Sequence, residues 1–135
     1  MGVSGSTASA QWYERASDAI LHNTPVIAER IMALHFERVP ELEKSYGERQ
    51  RAFYLEDTRS TLGALSAAML LETPQMFADY VSWLVSLLKA RNILGKGLPT
   101  HFECMREVLR EVMPEDLWAK TEEYLDTGVK ALSEA

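Results

Sequence analysis

The chain has 135 residues, 47% apolar and 25% charged, which suits one soluble domain with its own hydrophobic core. A net charge of −6, with basic residues scattered and not clustered, leaves no electrostatic footprint for nucleic acid. The single cysteine, Cys104, excludes an internal disulfide and any Cys/His zinc pattern, and it fits a reducing, cytoplasmic setting.

In chain order, residues 1–9 are small and polar and read as a flexible tail ahead of one domain over 10–135. They lack the basic and then apolar regions of a secretory signal. A first helix is expected from Ala10 to His22, with Trp12, Ala16, Ala19 and Ile20 at helical spacing. "NTP" then caps and starts a second helix from Pro25 to Arg38, whose apolar set is Ile27, Ile31, Leu34 and Phe36. "VPELEKSYGE" reads as a short turn or broken helix. A third helix covers Glu48 to Leu71 and ends at "ETP"; its uncharged run, Ser60 to Leu71, is too short to span a bilayer.

The fourth helix, Pro74 to Asn92, repeats Phe77, Tyr80, Val81, Leu84, Leu87 and Leu88 at i, i+3, i+4 steps. "LGKGLP" reads as a loop. A fifth helix from Thr100 to Val112 carries Phe102, Met105, Val108, Leu109 and Val112, and a sixth runs from Glu115 to Ser133. No strand pattern or internal repeat appears. The fold class is therefore all-α with about six helices, and both a four-helix bundle and a globin-type stack accommodate it.

The residues offer little for catalysis or metal binding. His22, His35 and His101 form no i, i+4 pair and no His-Glu-x-x-His or di-metal motif. His35 reads as a packed or surface histidine and His101 as a cap or exposed residue at a helix start. Glu103 and Glu107 read as a solvated face. Cys104, between Phe102 and Met105, reads as a half-buried structural thiol. No hydrolase, phosphate-loop or dinucleotide motif is present, so no enzyme is expected.

The segment Gln50-Arg51-Ala52-Phe53-Tyr54-Leu55-Glu56-Asp57 resembles the bilin-attachment helix of phycobiliproteins, which reads K-R-A-A-C-L-R-D; Arg51, Ala52, Leu55 and Asp57 match. The likeness is closer to a phycobiliprotein-related group, the bilin-biosynthesis-associated globins. It is carried by Pro40-Glu41-Leu42, Tyr46-Gly47 and Glu56-Asp57, followed by Phe77, Asp79-Tyr80-Val81, Trp83-Leu84, Leu88, Arg91 and Ile93. It covers residues 24–132. The order and spacing of these short motifs carry it, since each alone is weak.

That resemblance implies a globin-like fold and a linear tetrapyrrole ligand such as biliverdin or phycocyanobilin. A bilin needs aromatic walls, an acceptor for its pyrrole N–H groups and cations for its propionates. By resemblance Asp57 takes the N–H role and Arg51 a propionate, with Tyr54, Phe53 and Thr61 beside Asp57 and with Tyr80, Trp83 and Leu84 as wall. Tyr54 stands where the attachment cysteine would be, so binding is expected to be noncovalent; Glu56 replaces a basic residue and weakens the propionate site. Heme held in the usual globin way is not expected, because the place comparable to the iron-binding histidine, near Arg91-Asn92-Ile93, holds none. Partners beyond the tetrapyrrole would be a second copy of the chain and bilin-metabolism proteins. The alternative is a non-heme sensory or interaction globin that works through dimer contacts, with Trp12, Trp118 and Tyr124 as exposed apolar residues on the first and last helices.

Overall fold

A computed structural model of the chain describes residues 11–90 and 97–134. It has seven helices among them: α1 Trp12–Leu21, α2 Thr24–Arg38, α3 Pro40–Ser45, α4 Glu48–Leu70, α5 Pro74–Ala90, α6 Gly97–Val112 and α7 Glu115–Glu134. No strand occurs among the described residues. Proline punctuates the order. Pro25, Pro40, Pro74 and Pro99 each lie in the first turn of a helix, where the missing N–H costs no hydrogen bond.

Two expectations change. The stretch read as a turn or broken helix forms α3, so the described residues hold seven helices where about six were expected. Gly97, Leu98 and Pro99, expected in a loop, form the first turn of α6, which therefore begins ahead of Thr100. The rest of that expected loop, and the expected end of the fourth helix at Asn92, fall outside the described residues.

Helices pair across the chain more than along it. α1 packs on α4, α2 on α4 and α6, and α5 on α4 and α7. The interior is apolar: Ile20, Ile31, Leu65, Phe77, Met105 and Leu125 are all buried. At the α1–α4 crossing, Ser17 and Ser66 are buried and share a hydrogen bond of 2.6 Å between their hydroxyls. At the α5–α7 crossing, Gly128 lets the Phe77 ring approach the α7 backbone; a Cβ there would lie 2.4 Å from Phe77 Cε2.

Trp12, Trp118 and Tyr124 do not form an exposed apolar surface as expected. Tyr124 is buried, Trp12 lies against it at 5.7 Å between ring centroids, and Trp118 packs on the core. The exposed large apolar residues are elsewhere, Phe53 and Trp83 among them. No helix among the described residues is long and apolar enough to cross a membrane.

Candidate functional site

Phe53, Asp57 and Thr61 are spaced four apart on α4 and so form one row along it. Thr61 is buried; its hydroxyl donates to the Asp57 carbonyl at 3.0 Å and lies 3.3 Å from the Tyr80 hydroxyl on α5. Tyr80 stacks on Phe77 on one side and meets Trp83 on the other, at 5.6 Å between ring centroids. This α4 row therefore runs beside a Tyr80–Trp83 pair on α5. Phe53 is 53% exposed and Trp83 56%, so the face is aromatic and open to solvent. Asp57 is exposed within it. Burial raises the pKa values of the Tyr46 and Tyr80 hydroxyls, and the Asp57 carboxylate raises both further, so this charge lies within reach of both rings.

Four of the eight residues expected to hold a ligand are thus brought together, Asp57, Thr61, Tyr80 and Trp83, while Phe53 shares the α4 row one turn ahead of Asp57 with its ring under Arg49. The other three are occupied differently. Leu84 is a core residue. Arg51 donates from Nε to the Tyr46 carbonyl at 3.1 Å and from Nη2 to the Glu43 carbonyl at 3.0 Å, with its guanidinium over the Phe36 ring. It closes the end of α3 and is not extended over the aromatic face.

Tyr54 turns inward. Its hydroxyl lies 2.8 Å from His35 Nδ1 on α2 and 2.7 Å from His101 Nδ1 on α6. With one proton, the hydroxyl donates to one imidazole and accepts from the Nδ1–H of the other. His35 and His101 are both buried, and His35 Nε2 has no hydrogen-bond partner among the described residues. Burial lowers the His35 pKa; burial, with His35 alongside, brings His101 down to about 3. Burial also pushes the Tyr54 hydroxyl far above its ordinary value. The three rings are therefore neutral at pH 7. The expectation that His101 is a cap or exposed residue is corrected: it points into the interior. Cys104, expected to be half-buried, is wholly buried.

Sequence spacing could not place these rings together, since His35 and Tyr54 are 19 residues apart and Tyr54 and His101 are 47. A usable signal did exist. His35 continues the buried row Ile27, Ile31 on α2, and His101 begins the row that continues to Met105 on α6. A polar ring on an apolar stripe marks a buried hydrogen bond.

No group of His, Cys, Asp and Glu among the described residues could hold a metal ion. Two cavities lie elsewhere, about 340 Å³ between α5, α6 and α7 and about 520 Å³ along the α5–α7 groove, and none of the eight expected residues lines them. Arg106, on the rim of the first, is held by Glu122 and Asp126. Compared with protein-family models and with curated proteins, the chain matches none.

Proposed function

We propose that the chain is a globin-like domain that binds a linear tetrapyrrole noncovalently on the α4–α5 face. The observation that carries this reading is the solvent-open aromatic row with a carboxylate in it: Phe53 and Asp57 on α4 beside Tyr80 and Trp83 on α5. A flat conjugated ligand gains from stacking on exposed rings, and pyrrole N–H groups gain from an ionised acceptor. The helix pairing supports the globin-like part. An up-and-down bundle pairs successive helices, whereas here α1 pairs with α4 and α2 with α6. Arg51 is committed to backbone carbonyls, so propionates on this ligand would stay in solvent.

The test is an absorption titration of the purified protein with biliverdin and with phycocyanobilin. A red-shifted, sharpened band is expected at micromolar protein, weakened in Asp57→Asn and lost in Trp83→Ala. No spectral change with either bilin sinks the reading.

A second reading draws on the same exposure. Half-exposed Phe53 and Trp83 are also what a contact between two copies would bury, which would make the domain an interaction module without a cofactor. Light scattering separates the two: a tight dimer that Trp83→Ala dissociates, with no bilin response, favours the second.

A further inference from the structure

His35, Tyr54 and His101 all sit at one end of the molecule. His35 is in the last turn of α2, and Tyr54 and His101 are each in the second turn of their helix. Between His35 and Tyr54 runs α3, which buries no residue. This end is held by the Tyr54 hydrogen bonds, the buried Phe36 with its Tyr46 ring contact at 5.7 Å, Arg51 on the Tyr46 and Glu43 carbonyls, and the surface Arg38–Glu107 ion pair. Beyond this end one continuous apolar core joins α1, α4, α5, α6 and α7 with Ile27 and Ile31 of α2.

The junction has no place for an added proton. A protonated His35 carries an N–H at Nε2, where no acceptor lies among the described residues. No carboxylate offsets the burial of either imidazole. The charged and titratable groups around it are otherwise engaged. On α2, Arg38 pairs with Glu107 of α6 and lies 3.9 Å from Cys104 Sγ. Glu103 and Glu107 act on Cys104, and Asp57 acts on Tyr46 and Tyr80.

We infer that the His35–Tyr54–His101 junction is a proton-operated latch: mild acid releases the end of α2, α3 and the first turns of α4 from α6, while the α1–α4 and α5–α7 packing stays closed. The imidazoles take up protons in the released form and stay neutral in the latched one. Each pH unit below the ordinary histidine value then favours release by about tenfold per imidazole. For His101, held at about 3 in the latched form, the change between pH 7 and pH 5 is on the order of twenty-fivefold, and His35 adds to it in the same direction. Local release of a segment with few buried contacts is the expected first opening of a fold.

The test is backbone hydrogen exchange on the full chain, read as protection factors at pH 7 and pH 5, together with NMR of the imidazole nitrogens. Protection over residues 35–55 is expected to fall by more than tenfold as the imidazoles become protonated and to end well below that of α5 and α7, which open only with the whole fold. In a His35→Leu, His101→Leu variant the fall is expected to vanish. Protection over 35–55 unchanged at pH 5 in the unmodified protein overturns the inference. So does protection over 35–55 equal to that of α5 and α7 at pH 5, which would mean that the whole fold opens at once and needs no variant to be seen.

Discussion

Tyr54 has one hydroxyl proton and two imidazole nitrogens within hydrogen-bonding distance, at 2.8 Å and 2.7 Å. Removing that oxygen leaves a buried nitrogen unpaired on each side. An orphaned buried polar group costs about 1–3 kcal/mol. Tyr54→Phe is therefore expected to lower stability by about 2 kcal/mol or more, seen as a lower urea midpoint at unchanged slope. The pH dependence follows from the same ring cluster. Both histidines have folded pKa values below the unfolded 6.5, that of His101 at about 3. The unfolded chain thus binds more protons than the folded one below pH 6.5; His101 lowers stability by about 1.4 kcal/mol per pH unit as pH drops toward 3, and His35 adds to the loss in the same direction. Asp116, lowered by its Arg15 hydrogen bond, acts in the same direction but only below its ordinary 3.8. Urea unfolding between pH 7 and pH 4.5 isolates the histidines; a flat stability there would mean that the imidazoles are not held neutral. None of this was legible from the residues singly, because the energy lies in a meeting of three helices. Asp57 was singled out by the resemblance of its segment to a bilin-attachment helix, and its row with Phe53 and Thr61 follows from four-residue spacing along one helix.

At the scale of helices, two backbone positions carry sharp expectations. Gly128 faces Phe77, whose ring is wholly buried and has nowhere to go. Gly128→Ala gains about 1 kcal/mol of helix propensity, but its Cβ would stand 2.4 Å and 2.6 Å from ring carbons and 3.0 Å from Val81 Cγ2. Overpacking of this kind costs about 1–3 kcal/mol, so a net loss and a lower melting temperature are expected. Glu72 is the opposite case. It follows α4 with φ of 51°, while the Thr73 N–H bonds to the Ala68 carbonyl across the helix end. Glycine is at ease in that conformation and glutamate is not. Glu72→Gly is expected to raise stability by up to about 1 kcal/mol, measured by thermal unfolding. The helices themselves were readable because apolar residues at 3.6-residue spacing bury one face, and proline marks the starts. α3 was not, because it is too short to show a period and buries nothing. The start of α6 was missed because Gly97 and Pro99 look like loop residues, although proline is well tolerated in a first turn.

At the scale of the molecule, the sequence showed which faces are apolar but not which face meets which. α1 against α4 and α2 against α6 are contacts between distant segments, and periodicity carries no information on them. The structure grades the aromatic residues by burial, with six of intermediate exposure between the two extremes. Phe77, Phe102 and Tyr124 are interior, while Phe53 and Trp83 stand more than half exposed on neighbouring helices. Folding gains little from rings left in water, so their loss should cost the fold little: surface substitutions of this kind fall within about 0.5 kcal/mol. Phe53 lies under the Arg49 guanidinium at 5.5 Å, an exposed contact worth about 0.5–1 kcal/mol. The double variant Phe53→Ser, Trp83→Ser is therefore expected to unfold within about 1 kcal/mol of the unmodified protein. It should also lose the bilin absorption change, or the dimer if that is what the face makes. Denaturant unfolding and the bilin titration on the same preparation check both halves. A variant that unfolds much more easily would show that the two rings belong to the core's support. One that folds normally and still shifts the bilin spectrum would move the ligand off this face.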